Sequence, residues 1–178
     1  PQLALGYIEQ YSITHSQWVP TMFIRMLKLD EDIRCQYDLS THACAIHAAA
    51  PCPKEIKQQM MRWWGPILWE YYAGTERNGT CVIGPQDWLA HPGSVGRAYN
   101  SVLRICDESG EELTAGEEGM VYFEQNVRSF EYHNAPDKTR AATHPIHDNW
   151  TSLGDVGYVD EEGFLYLTDR KAYMIISG

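Results

Sequence analysis

The sequence predicts a mixed α/β protein, in which a parallel sheet covered by helices precedes a small antiparallel, β-barrel-like part. Three observations support this fold class. Helical patterns alternate with short apolar extended runs in the first half of the chain, which is typical of parallel sheets with covered faces. From about Gly93 onward, short β-type runs are separated by turns instead. Hydrophobic residues make up 44% of the 178 residues, so the chain can bury a core.

Apolar periodicity, together with proline and glycine, predicts the elements of the first half. Pro20 suits the first turn of a helix, and Lys54–Trp64 has the pattern of another helix, which ends at Gly65. Strands are predicted at residues 43–48 and 67–72, because both runs are short and bounded by turn residues. The residues that follow the second strand lie at its carboxyl end, where ligands bind in open α/β sheets.

The second half is interpreted as antiparallel strands joined by turns. Strands are predicted at Val102–Cys106, at residues 119–123 and at residues 164–168. Residues 158–159 are expected to form a hairpin with the last of these strands, through a turn at residues 160–163. The glycine that ends this turn can adopt the positive φ that such hairpins need.

Composition excludes several classes of function. The formal charge is −10, with 14 basic against 24 acidic residues, which argues against a nucleic-acid-binding protein. No apolar run is long enough for a membrane-spanning helix, and the start lacks the pattern of a signal peptide. The five cysteines have no Cys-x-x-Cys spacing, so reduced thiols in a cytoplasmic protein are the simple interpretation.

Six residues, Tyr-Tyr-Ala-Gly-Thr-Glu at 71–76, combine the groups that hold a nucleotide. An aromatic ring can contact a base, a hydroxyl can contact a phosphate, and a carboxylate is a ligand for Mg²⁺. The alternative for Thr75 and Glu76 is a helix-cap-like threonine and a solvated glutamate in a loop after a strand.

Three further segments could belong to the same site. The small residues at 48–51 would let a flat ligand lie against bare backbone, or would serve tight packing. Asp155 follows Gly154 and could accept both hydroxyls of a ribose, although aspartate is also a common turn residue. Arg170 could contact the ribose or a phosphate, or belong to a surface charge cluster. His47 is interpreted as a core histidine, and His144 with His147 lacks a third zinc ligand.

Taken together and in this order, the segments resemble the adenylate-forming superfamily, and most closely its fatty-acyl-CoA synthetases. Residues 47–51 resemble the family's Gly-Ala-Ala-Pro segment, and residues 72–76 resemble Tyr-Gly-x-Thr-Glu. Residues 150–155 are similar to its Thr-Gly-Asp motif, and residues 169–178 to the start of its hinge. The resemblance departs at Ala73, which replaces a glycine, at residues 152–153, and at Ala172 in the hinge.

The resemblance implies an ATP-dependent ligase that makes an acyl-adenylate and transfers the acyl group to CoA. By its roles, Tyr72 would stack on adenine, Thr75 would touch the α-phosphate, and Glu76 would hold Mg²⁺. Asp155 and Arg170 would hold the ribose. The resemblance further predicts nucleotide contacts by Ala49, Ala50, Pro51, Tyr71 and Ala73. The expected partners are a fatty or other hydrophobic carboxylate, ATP and CoA.

The same resemblance divides the chain into an α/β subdomain at residues 1–92, a β-rich subdomain at 93–168 and the start of a hinge at 169–178. A phosphate loop with its lysine and a C-terminal domain with the catalytic lysine are absent from the sequence. We therefore expect a central fragment that is inactive alone. The alternatives are an adenylation domain of a peptide synthetase, a luciferase-like enzyme, or a non-catalytic nucleotide-binding module. Acyl chain length and oligomeric state are not determined by the sequence.

Overall fold

The computed structural model describes residues 1–170, and the chain forms two compact units. The first unit consists of Pro1–Tyr71 and Ile83–Gly93, and the second consists of Tyr72–Val82 and the chain from Ser94 onward. From residue 171 on, the predicted hinge lies outside the described residues, as does Ala172. The predicted division into domains at residues 92 and 168 stays a prediction.

The first unit contains a parallel sheet and helices. Its helices are α1 (Gln2–Gln10), α2 (Pro20–Leu27), α3 (Glu31–Arg34), α4 (Lys54–Trp64) and α5 (Pro85–Ala90). Its strands are β1 (His15–Trp18), β2 (Cys44–His47) and β3 (Leu68–Ala73), of which the last two residues belong to the second unit. Strand β2 pairs in parallel with β1 and with β3, and its last residue, His47, lies opposite Glu70.

Local sequence explains where the elements of the first unit begin and end. Pro20 occupies the first turn of α2, where its missing N–H costs no helical hydrogen bond. Gly65 ends α4 with a φ of 83°, a conformation that glycine adopts without a Cβ penalty. Apolar side chains from the helices and strands form the core of this unit. The largest fully buried ones are Trp88, Phe23, Leu5, Ile8, Met26, Met60, Leu68 and Ile83.

The second unit is built from antiparallel strands. They are β4 (Thr80–Ile83), whose last residue belongs to the first unit, β5 (Arg97–Tyr99), β6 (Val102–Cys106), β7 (Gly119–Glu124), β8 (Trp150–Thr151), β9 (Asp155–Val159) and β10 (Leu165–Arg170), together with helix α6 (Pro136–Ala141). Strand β4 pairs with β5, and a separate sheet has the order β10-β9-β7-β6 with β8 beside β7. Its core contains Cys81, Ile105, Val121, Phe123 and Leu165.

The predicted fold class is confirmed, because a sheet with parallel pairing and an antiparallel sheet are both present. The described strands of the second unit do not close into a barrel, so the likeness to a barrel is limited to the antiparallel pairing. Within residues 1–170, no helix is both long enough and apolar enough to cross a membrane.

Candidate nucleotide site

Asp155 is the best-anchored of the predicted site residues. It begins β9 and is only 8% exposed. Its Oδ2 accepts a hydrogen bond from the Tyr72 hydroxyl at 2.5 Å, and its Oδ1 lies 3.1 Å from Nε of Arg170. Arg170 is also its cross-strand neighbour on β10. The structure therefore brings Tyr72 and Arg170 to Asp155, although Tyr72 is distant in the sequence. Each oxygen of the Asp155 carboxylate has one of these two residues as its partner.

A tight turn leads into Asp155. Gly154 has a φ of 82°, and its backbone N–H donates to the Ser152 hydroxyl at 3.0 Å. This short-range bond is typical of serine in turns. Ser152 therefore stabilises the turn, although it departs from the usual motif.

Tyr72 connects the site to the core of the second unit. Its ring packs near Phe123, with ring centroids 6.1 Å apart, and its hydroxyl is committed to Asp155. Burial raises the pKa of Tyr72, and the hydrogen bond to Asp155 raises it further. The side chain is therefore a neutral donor at physiological pH. Its predicted stacking on adenine stays a prediction.

Glu76 lies in the turn between β3 and β4 and is half-buried. Its Oε1 accepts a hydrogen bond from the Tyr132 hydroxyl at 2.9 Å. Among residues 1–170, no basic side chain forms an ion pair with this carboxylate. A carboxylate without a basic partner among the described residues suits Mg²⁺, which proteins commonly bind through one or two carboxylates plus substrate phosphates. Thr75, beside it, is exposed.

Gly74 lies close to the ends of two side chains in this turn. A Cβ at position 74 would lie 2.5 Å from Cδ1 of Leu153 and 2.9 Å from Oε2 of Glu76. Both distances are shorter than side-chain contacts allow, so only glycine fits without a shift. Leu153, which departs from the usual Thr-Gly-Asp motif, therefore packs directly against the turn that carries Glu76.

The remaining predicted contacts belong to the first unit, except for Ala73, which is exposed at the end of β3. Ala49, Ala50 and Pro51 follow β2 and are exposed. Ala49 has a φ of 75°, and such left-handed conformations of residues other than glycine are concentrated at functional sites. The Tyr71 hydroxyl accepts a hydrogen bond from Gln17 at 3.2 Å. The contacts of these residues with a nucleotide stay predictions.

Comparison with known proteins identifies the family. The family model described as AMP-binding enzyme matches residues 1–129. The chain belongs to this family. In sequence, the chain is 31% identical over 180 residues to a long-chain-fatty-acid–CoA ligase of Bacillus subtilis (strain 168), over 100% of the chain and 31% of the relative. It is likewise 31% identical over 140 residues to a 2-succinylbenzoate–CoA ligase of Bacillus cereus (strain ATCC 10987 / NRS 248), covering 78% of the chain and 28% of that relative.

Solved structures give the same result. The amide bond synthetase McbA from Marinactinospora thermotolerans matches with a TM-score of 0.83 and 26% identity, over 96% of this chain and 34% of that one. An O-succinylbenzoate coenzyme A synthetase from Bacillus subtilis, in complex with AMP, matches with a TM-score of 0.77 and 25% identity, over 98% and 35%. These matches confirm the predicted acyl-CoA synthetase branch of the adenylate-forming superfamily. The chain spans about a third of the length of these relatives.

A buried charge cluster in the first unit was not predicted. Lys57 of α4 donates from Nζ to Oε2 of Glu70 at 2.6 Å, and Nε2 of His47 lies 3.5 Å from the same oxygen. Lys57 and His47 are fully buried, and Lys57 also lies 4.8 Å from the centre of the Trp88 ring. Burial and the nearby Lys57 lower the pKa of His47 to about 3, so this histidine is neutral.

The histidines at 144 and 147 serve the structure of a loop. Nε2 of His144 lies 2.9 Å from the Gly110 carbonyl oxygen, so it donates there. Its Nδ1 accepts from the backbone N–H groups of Ile146 and His147. Both ring nitrogens of His144 are therefore occupied by hydrogen bonds within the protein. Within residues 1–170, no group of three or more histidine, cysteine, aspartate or glutamate side chains is arranged to hold a metal.

Proposed function

We propose that the protein carrying this chain is an ATP-dependent carboxylate–CoA ligase that acts on a fatty or other hydrophobic carboxylate. The observation that carries the proposal is the anchored carboxylate of Asp155. A carboxylate has about four lone-pair positions on its two oxygens. Tyr72 and Arg170 engage one oxygen each, so each oxygen keeps capacity for one more donor. Two adjacent hydroxyls of a ribose supply two such donors.

The proposed chemistry has two steps. The substrate carboxylate attacks the α-phosphorus of ATP, pyrophosphate leaves, and an acyl-adenylate forms. The thiol of CoA, after losing its proton, then attacks the acyl carbon, and AMP leaves with the bonding electrons. Both steps depend on positioning and on neutralisation of charge rather than on a protein nucleophile.

The residues of the second unit supply this positioning. Asp155 and Arg170 orient the ribose, and the exposed hydroxyl of Thr75 is proposed to donate to the α-phosphate. Glu76 would hold Mg²⁺, which, when bound, neutralises negative charge on the phosphates. Tyr72 remains un-ionised, because its pKa is raised, and its hydroxyl therefore stays a hydrogen-bond donor to Asp155.

Pyrophosphate–ATP exchange in the natural protein tests the adenylation step. We expect Asp155→Asn to raise the KM for ATP about 10-fold to 100-fold, since a hydrogen bond to a charged group contributes about 1.5–3 kcal/mol. The matched control is Asp148→Asn, an exposed aspartate in the same unit. Equal KM values in the two variants would exclude Asp155 from the nucleotide site.

A second candidate keeps the acyl-adenylate and changes the acceptor. The amide bond synthetase shares the fold, and a fatty acid–[acyl-carrier-protein] ligase of Streptomyces coeruleorubidus is 28% identical over 181 residues. Both candidates predict pyrophosphate exchange without CoA. Release of AMP that depends on CoA supports the CoA ligase, whereas release that depends only on a carrier protein or an amine supports the second candidate.

A further inference from the structure

Tyr132 is fixed at both ends. Its hydroxyl donates to Oε1 of Glu76 at 2.9 Å, and its backbone N–H donates to Oγ1 of Thr139 at 2.9 Å. The Phe130 ring packs against it edge-on, with centroids 5.1 Å apart. The Tyr132 carbonyl also accepts from the N–H of Ala135 at 3.1 Å. The phenol therefore reaches Glu76 from a constrained loop rather than from a freely rotating side chain.

Thr139 closes this loop from α6. It is 8% exposed, and its hydroxyl accepts from Tyr132 and donates to the Ala135 carbonyl at 3.2 Å. Its own carbonyl accepts from the Thr143 hydroxyl at 2.8 Å. A buried hydroxyl with both functions used is costly to remove, since its partners lose their hydrogen bonds. Thr139 therefore holds the segment that presents Tyr132.

Glu76 depends on this support. Its Oε2 lies 2.9 Å from the position that a Cβ on Gly74 would occupy, and its Oε1 has the Tyr132 hydroxyl as its donor. Without that donor, a half-exposed glutamate would be free to change rotamer, and ordering such a side chain costs free energy each time a ligand binds. Groups that hydrogen-bond to a metal-binding carboxylate typically change metal affinity or activity 10-fold to 100-fold.

We propose that Tyr132 is a positioning residue, which holds the Glu76 carboxylate in the orientation that binds the metal of Mg-ATP, and that Thr139 holds Tyr132 in turn. This inference rests on the proposed function, because it assigns a role to the same site. In this proposal Tyr132 acts through Glu76, to which its hydroxyl donates, and is not itself a catalytic residue.

The test is a Mg²⁺ titration of the natural protein, followed both by ATP binding in a calorimeter and by pyrophosphate–ATP exchange. Tyr132→Phe removes only the hydroxyl, and we expect the Mg²⁺ concentration for half-maximal activity to rise about 10-fold. The KM for the carboxylic substrate should stay unchanged. Thr139→Val should shift the Mg²⁺ titration in the same direction. Thr139→Ser keeps the hydroxyl and should therefore keep the Mg²⁺ dependence of the wild type. The matched control is Tyr158→Phe, a tyrosine that stacks on Tyr166 in the same unit.

A double-mutant cycle separates this inference from the proposed function. If Tyr132 acts through Glu76, Tyr132→Phe should have almost no further effect in a Glu76→Gln background. The inference would be overturned if the effects of the two substitutions on the Mg²⁺ dependence were fully additive, or if Tyr132→Phe had the Mg²⁺ dependence of the wild type. In either case an effect of Glu76→Gln alone would still support the proposed metal site. If Glu76→Gln alone left the Mg²⁺ dependence unchanged, the proposed metal role would be wrong and the inference with it. A change in thermal stability without a Mg²⁺ shift would show that Tyr132 is merely structural.

Discussion

The buried ion pair between Lys57 and Glu70 provides a stringent test of how the stability of the first unit depends on paired buried charges. We expect Glu70→Leu, which keeps the size of the side chain but removes its charge, to destabilise the fold strongly. Lys57 is fully buried and Glu70 is 7% exposed, so water cannot replace the lost partner. Lys57 would keep its contact with the Trp88 ring, whose centroid lies 4.8 Å from Nζ, but would lose its anionic partner.

The magnitude follows from the geometry. At 2.6 Å, the gross attraction is about 6 kcal/mol for an effective dielectric constant of about 20. Desolvation of the two ions costs several kcal/mol each and offsets this attraction, so the intact pair contributes little. Removing one partner leaves the other ion buried, which costs about 3–5 kcal/mol. We therefore expect the free energy of unfolding to fall by that amount in Glu70→Leu.

Urea unfolding at neutral pH measures this loss, and the double variant Lys57→Met/Glu70→Leu is its control. Since the double variant buries no ion, it should recover most of the stability. The single variant should also gain stability as the pH rises. Burial already lowers the pKa of Lys57, and removal of Glu70 lowers it further, so the unfolded state then binds more protons. A single variant within about 1 kcal/mol of wild type, or a double variant as unstable as the single one, would refute the reasoning.

Two other stability measurements follow from named residues. The pKa of His47 falls from its ordinary 6.5 to about 3, so the stability it contributes is complete above pH 6.5 and is lost as the pH falls toward 3. Between pH 7 and pH 5 this loss is about 2 kcal/mol, and His47→Gln should flatten the slope of stability against pH. Gly79→Ala would place a Cβ 2.1 Å from the buried ring of Phe123 and should cost about 1–3 kcal/mol. The additional change Phe123→Leu should recover part of that cost, and an unaltered urea midpoint for Gly79→Ala would contradict the packing.

Sequence patterns predicted the helices and strands whose ends are marked by proline, glycine or other turn residues. The observed bounds of α4 are the predicted Lys54–Trp64, because Pro53 precedes the helix and Gly65 ends it. Strand β6 likewise matches the predicted Val102–Cys106. Helices α5 and α6 were not predicted, because each has six residues and is too short to show a helical period.

The contacts of the candidate site depended on tertiary structure. Tyr72 and Asp155 were both predicted as nucleotide contacts, but the hydrogen bond between them joins residues 83 positions apart. No local signal in the sequence pairs Tyr132 with Glu76, 56 positions away. Lys57 occupies a position in an amphipathic helix that looks polar in the sequence. Only the fold shows that it is buried.

The chain passes between the two units more than once, and this has a consequence for synthesis and for truncation. It crosses between residues 71 and 72, 82 and 83, and 93 and 94. During translation, the first unit therefore lacks α5 and its buried Trp88 until the start of the second unit has already emerged. A single cut cannot release either unit with its core complete. Expression of the units as separate polypeptides would require circular permutation or a grafted connection, rather than a shortened gene.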